Sequence, residues 1–278
     1  MKPRPFDYVR AESVADALDQ LAQHGDNSRI LAGGQSLMAM LNLRLVDPGT
    51  LIDIGRIDEL KRIERKSGWV EIGAAVTQNE LLSWPHLQAC LPLLARALPF
   101  VGHFQTRNRG TICGSIAHAD PSSEIPLVLA ALSGEVVLRS RRKTRTLAAS
   151  DFQTGMLTTA RNPDELIVAV RLPEHGGTES AFREVARRHG DFAIVALAAI
   201  VEPDKSARLA IGGVADRPLV HRFTASESAS ADSLAATIDS IAWRAGGYDD
   251  VHATARYRRD LVRRLAPLVI EEALSCAA

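Results

Sequence analysis

Behind Ser13, apolar residues fall at Val14, Leu18 and Leu21 and the run stops at Gly25, which predicts a short amphipathic helix between a cap and a stop signal. Residues 29–32 read as a strand that runs straight into Gly33, Gly34, Gln35 and Ser36. Helical spacing returns over 37–46 and ends at the turn Asp47-Pro48-Gly49, and 50–54 reads as a buried strand. The pattern breaks near 57 and restarts at about Glu59. From there 61–65 and 69–74 predict two strands around Ser67-Gly68. Thr77 with Glu80 fits a reciprocal N-terminal cap, and 87–98 carries helical spacing.

The stretch 105–123 is polar, punctuated by glycines and without a clean period. After it come a helix over 124–132, a strand over 135–138 and another over 165–172 that stops at Pro173. Residues 174–178 look like a linker. Beyond them 181–187, 194–201 and 208–214 suggest an antiparallel unit with a turn at 203–206, followed by helices over 233–244 and 254–274. The expectation is an α+β protein with a first domain over 1–174, itself in two parts, and a second over 178–278.

Composition narrows the choice of function. Lys plus Arg equals Asp plus Glu at 33 each, which disfavours a broad electrostatic attraction to nucleic acid or an anionic membrane. No run of roughly 18 apolar residues predicts a membrane span. The opening MKPRPFDYVR lacks the apolar core of a secretory signal, so a cytoplasmic setting is expected. The three cysteines, Cys90, Cys113 and Cys276, are too few and too scattered for a disulfide framework, a Cys₄ cluster or a zinc site.

Two glycine-bearing segments carry the candidate chemistry. In Ile30, Leu31, Ala32, Gly33, Gly34, Gln35, Ser36 and Leu37, a strand feeds a double glycine and a hydroxyl residue opens the next helix. Glycine lets backbone approach a ligand, and free amides at such a turn suit a phosphate. The spacing is not G-x-G-x-x-G, and alone the turn is more commonly structural. The second segment, residues 107–124, holds Gly110, Gly114, several hydroxyls, Asp120 and Glu124, a set suited to a phosphate and a polyol.

Taken together, AGGQS and TICGS, with DPGTLIDI between them, resemble the FAD-binding medium subunits of the molybdenum hydroxylases, the family of xanthine dehydrogenase and carbon monoxide dehydrogenase. The likeness runs over essentially the whole chain. It implies a vanillyl-alcohol-oxidase-type FAD-binding domain followed by a smaller α+β flavoprotein domain. It also implies non-covalent FAD whose pyrophosphate is surrounded by residues 30–37 and by Thr111, Ile112, Cys113, Gly114 and Ser115. Glu124 stands where the family has aspartate near the flavin's polyol, and Ile167 aligns with an apolar residue beside the cofactor. Arg183 aligns with a basic residue near the flavin, and Phe192 with a residue covering the isoalloxazine ring. Cys113 and Ser115 replace a Gly and an Asn of the family pattern, so a side chain at 113 is expected to narrow the room beside the phosphates.

The resemblance further implies a division of labour. A large partner subunit would hold the molybdenum cofactor and a small one the [2Fe–2S] clusters, in a dimer of heterotrimers. This chain would then contribute no catalytic residue acting on substrate. The alternative is a self-contained FAD oxidase or dehydrogenase of the same fold type. Other candidates read as structural. Cys113 has no activating neighbour in sequence, and His118 with Asp120 makes only two potential ligands. The basic run Arg139, Arg141, Arg142, Lys143 and Arg145 fits a solvated hairpin, with a docking edge for an acidic partner as the functional option.

Overall fold

A computed structural model of the chain describes residues 2–175, 179–202, 206–224 and 231–275. Strand β1 (Asp7–Arg10) leads into helix α1 (Val14–His24), β2 (Ser28–Leu31), α2 (Leu37–Asn42) and β3 (Thr50–Asp53). The three strands form a parallel sheet in the order β1-β3-β2, with Arg10 and Leu31 both opposite Asp53. All three strands therefore end at one edge. Helix α1 makes the crossover on a face of buried Val14, Ala17, Leu18 and Leu21, with Ser13 Oγ accepting the Asp16 N–H as its cap.

The next elements are β4 (Ile63–Lys66), β5 (Trp69–Gly73), α3 (Gln78–Leu82), α4 (Leu87–Cys90), α5 (Pro92–Ala97), α6 (Phe104–Arg107), α7 (Ile112–His118) and α8 (Glu124–Ala131). They are followed by β6 (Glu135–Arg139), β7 (Thr144–Ala148), α9 (Ala149–Phe152), β8 (Gln153–Gly155), β9 (Thr158–Thr159) and β10 (Leu166–Pro173). An antiparallel sheet of order β4-β5-β10-β6-β7 organises this part. The last part is an antiparallel sheet of β11 (Glu179–Val185), β12 (Val195–Val201), β13 (Ala207–Gly212) and β14 (Leu219–Phe223), with helix α11 (Ala255–Ser275) packed on it and α10 (Ala231–Ala245) packed against α11.

Strand β12 reads VALAAIV and is buried at every position, because its sheet is covered on both sides. Ala196, Ala198 and Ile200 join the core of the first part, whereas Val195, Leu197, Ala199 and Val201 face α10 and α11. Helix α8 is apolar almost all round and is sandwiched between the two parts, against α5 and α7 on one side and β12 and β13 on the other.

The structure corrects the sequence reading in several places. Residues 105–123 are not irregular, since α6 and α7 occupy much of them. Thr111 Oγ1 accepts the Gly114 N–H and caps α7, whose Ile112, Cys113 and Ile116 are buried, so Gly114 in the first turn hides a helix. Helix α2 stops at Asn42, with Arg44 at φ 58°, short of the expected 46. Leu91, at φ −135°, splits 87–98 into α4 and α5. Strands β1, β7, β8, β9 and β14 had no recognised signal. The basic run is the β6–β7 hairpin, in which Arg141 pairs with Asp19 and Arg145 with the buried Glu165. Residues 176–178 of the expected linker and 203–205 of the expected turn lie outside the described residues.

Candidate cofactor site

The carboxyl edge of the parallel sheet opens into a cavity of about 710 Å³. Tyr8, Asp53, Gly55 and Arg56 line one side, Leu31 to Gln35 and Met38 the middle, and Ala75, Thr77, Asn108, Arg109 and Thr111 the far side. The two glycine segments touch here through their backbones. A Cβ added to Gly33 would stand 2.1 Å from the Arg109 carbonyl oxygen, so only glycine admits this approach. Gly34 turns the chain at φ 73°, a left-handed conformation that glycine takes at little cost.

Among the described residues, the backbone N–H groups of Gly33, Gly34, Gln35 and Ser36 donate to no protein acceptor. Four unpaired amides in succession at a strand-to-helix turn form a concave donor surface suited to an anion. The guanidinium groups of Arg56 and Arg109 have no carboxylate partner among the described residues, and both residues line the same cavity. Donors and charge of this kind fit the diphosphate of a dinucleotide.

Leu31, Ala32, Gly33, Gly34, Gln35 and Thr111 of the expected site share this cavity. Ile30 packs partly against the core, and Ser36 and Leu37 continue the turn into α2. The side chains of Ile112 and Cys113 turn the other way and are 1% and 2% exposed. The Cys113 thiol donates to the Ile72 carbonyl, and burial pushes its pKa far up. The Cys113 side chain therefore does not enter the cavity. Gly114 is constrained by its own cap, because an added Cβ would come within 2.6 Å of Thr111 Oγ1. Ser115, half-buried in α7, donates its N–H to the Thr111 carbonyl.

The remaining expected residues lie elsewhere. Glu124 opens α8 and is 4% exposed; burial, reinforced by Asp120, raises its pKa to about 7. Ile167 is buried in β10. Arg183 does not face the first part of the chain. It lies on the α11 side of β11 and binds Glu272 at 2.8 Å. Alternation along β11 puts Glu184 on the opposite face, the face of Phe182, which belongs to the first core. Burial and then Glu124 raise the Glu184 pKa to about 8, and its Oε2 is buried without a partner among the described residues. Phe192 is exposed, two residues after Gly190, which packs on the His103 ring. His118 has its pKa lowered by burial, against the pull of Asp120.

Residues 4–175 match the family described as the FAD binding domain in molybdopterin dehydrogenase, and 180–273 the CO dehydrogenase flavoprotein C-terminal domain. The chain belongs to this family of FAD-binding medium subunits. Among its relatives, the glyceraldehyde dehydrogenase medium chain of Sulfolobus acidocaldarius is 34% identical, over 98% of this chain and 99% of that one. The 6-hydroxypseudooxynicotine dehydrogenase complex subunit alpha of Paenarthrobacter nicotinovorans is 35% identical, over 99% and 96%. A solved carbon monoxide dehydrogenase from Hydrogenophaga pseudoflava, which lacks the Mo-pyranopterin moiety of its molybdenum cofactor, superposes with a TM-score of 0.93 at 33% identity, covering 100% of both chains. The medium subunit is thus an FAD-binding oxidoreductase subunit of α+β architecture that works with partner subunits. No helix among its described residues is long and apolar enough to cross a membrane. Sequence reasoning did not single out Tyr8, Asp53, Gly55, Arg56, Asn108 or Arg109, although Asn108 and Arg109 lie in the candidate segment 107–124 and Asp53 in the buried strand of DPGTLIDI.

Proposed function

We propose that this medium subunit binds one FAD non-covalently and relays electrons from [2Fe–2S] clusters in a small partner subunit to an external acceptor. Substrate would be oxidised at a molybdenum cofactor in a large partner subunit, the whole forming a dimer of heterotrimers in the cytoplasm. The observation that carries the reading is the cavity lined by Gly33, Gly34 and Gln35 of a turn whose amides from 33 to 36 are unpaired among the described residues, together with Arg56 and Arg109. Residues 30–37 would hold the diphosphate from one side. Residues 111–115 would support it from the other, Gly114 and Ser115 through backbone geometry and Ile112 and Cys113 by anchoring α7 in the core. Glu124 and Ile167 would border the polyol and ring, with Phe192 over the ring. Arg183, bound to Glu272 across β11, is dropped from this set in favour of Glu184.

FAD supplies a two-electron store that exchanges single electrons with clusters and pairs with an acceptor. The protein binds, orients and electronically tunes it. Three cysteines leave this chain unable to hold a Cys₄ cluster of its own, which supports placing the clusters in a partner. Contact with that partner would need an interface of the usual size, roughly 1,600 Å². Stopped-flow absorbance at the oxidised flavin band tests the relay. Substrate should leave the flavin of this chain unchanged when alone and bleach it rapidly once the small and large subunits are added. Bleaching by substrate with this chain alone would favour the self-contained oxidase and end the relay reading.

A further inference from the structure

The cavity reaches beyond the unpaired amides to a group of residues that the diphosphate leaves unused. Tyr8, the second residue of β1, donates its hydroxyl to Asp53 Oδ2 at 2.5 Å, and Asp53 Oδ1 accepts the Gly55 N–H at 2.8 Å. Each carboxylate oxygen keeps a further lone pair for a ligand donor. Gly55 holds this pair against the phosphate turn. A Cβ added there would lie 3.2 Å from Asp53 Oδ1 and 3.8 Å from the Ala32 carbonyl. The Tyr8 ring is 54% exposed and Met38 37%, so both present apolar surface to the same cavity. Asp53 ends β3 at the carboxyl edge of parallel strands, where open α/β sheets bind their nucleotides, and the Tyr8 hydroxyl reaches it from the neighbouring strand.

We propose that Tyr8 and Asp53 bind the adenosine half of FAD, Asp53 accepting from a ribose hydroxyl and the Tyr8 and Met38 side chains packing on the base. The proposal deepens the FAD reading and rests on it. Charge decides which half of the cofactor belongs here. Ribose hydroxyls are donors that a carboxylate satisfies, whereas a carboxylate beside the flavin pyrimidine would oppose the negative charge gained on reduction. The flavin half then extends from the diphosphate toward Glu124 and Phe192. Tyr8 lies on an edge strand and is half exposed, so it can be replaced without opening the core.

The full-length chain, freed of flavin, is titrated with FAD and with FMN by quenching of flavin fluorescence, and ADP is used as a competitor. Wild type should bind FAD about tenfold or more tightly than FMN, with ADP competing. Tyr8→Ala and Asp53→Asn should each weaken FAD and ADP about tenfold while leaving FMN unchanged. Variants that bind FAD like wild type would overturn the assignment while leaving the FAD reading intact. Equal losses of FAD and FMN would also overturn it, by pointing to the phosphate turn or the fold. A wild-type chain that binds no FAD would instead remove the proposed function and this inference with it.

Discussion

At Gly33 one missing methyl group decides whether two loops can meet. The Arg109 carbonyl occupies the space a Cβ would need, at 2.1 Å, so Gly33→Ala must part the loops before any ligand is considered. Gly33→Ala is expected to lower both the melting temperature of the FAD-free chain and the flavin content per chain. Ser36→Ala, where the hydroxyl makes no cap bond, should leave melting unchanged. A flavin-depleted Gly33→Ala chain with wild-type melting would show that the glycine serves the ligand alone. Titration offers a second test at this scale. Glu124 and Glu184 have folded pKa values near 7 and 8 against an ordinary 4.5, with burial the main cause and Asp120 adding to the rise at Glu124. In the window between 4.5 and those values the folded chain holds more protons than the unfolded one, so stability falls as pH rises. The urea midpoint of the FAD-free chain should therefore decline from pH 5 to pH 8, and Glu184→Gln should flatten that decline. An unchanged slope in Glu184→Gln would mean that the carboxyl is solvated in the folded chain.

At the scale of elements, the second glycine segment is a helix start. Thr111 caps α7 through the Gly114 N–H at 3.0 Å, and the adjoining Thr77–Thr111 bridge ties it to the capped start of α3. Thr111→Ala is expected to cost about 1 kcal/mol, read from the urea midpoint, and to weaken FAD as the α7 start frays. Loss of stability with unchanged FAD affinity would separate the cap from the site. The same segment shows what the sequence can reveal. Ser13 with Val14, Leu18 and Leu21, and Thr77 with Glu80, announce helices because cap and periodicity agree locally. Strand β12 announces itself by unbroken apolar character. Helix α7 does not, because it is seven residues long with a glycine in its first turn, and its burial comes from β5 and β10, distant in sequence. Strands β1 and β14 are short, lie at sheet edges and mix polar with apolar residues without a long run, so only pairing reveals them. In the site, the glycine turn was legible as a strand feeding a double glycine, and its cofactor role only through the family resemblance. Tyr8, Arg56 and Arg109 were not, since the first two converge through parallel pairing across more than forty residues and Arg109 through the tertiary approach of its carbonyl to Gly33. Strand alternation likewise aims position 184 and not 183 toward the first core, a placement that pairing alone sets.

Over the whole molecule, the expected division at 174–178 does not coincide with a division of the core. Helix α8 belongs by sequence to the first part, yet its Leu127 side chain reaches Gly212 on β13, and Arg208 on β13 donates to the Ala131 carbonyl at the end of α8. Phe182 on β11 likewise packs at a tilt on Phe100, ring centroids 5.3 Å apart, and Ala196, Ala198, Ile200 and Ala210 complete the core of the first part. Removing everything after residue 175 would bare one side of α8 and leave the α5–α8 layer without its cover, exposing a contiguous apolar face. A chain ending at residue 175 is therefore expected to aggregate or to stay partly unfolded despite carrying both glycine segments, and to bind FAD at least tenfold more weakly than the full chain. Co-expression with 179–278 should restore a soluble complex that binds flavin, since the lost surface is complementary and needs no covalent link. Size-exclusion chromatography with near-UV circular dichroism and a flavin titration measures all three properties. A monomeric, cooperatively folded 1–175 chain with wild-type FAD affinity would show that the first part is an independent domain. In that case the packing of α8 on β12 and β13 contributes little to the site.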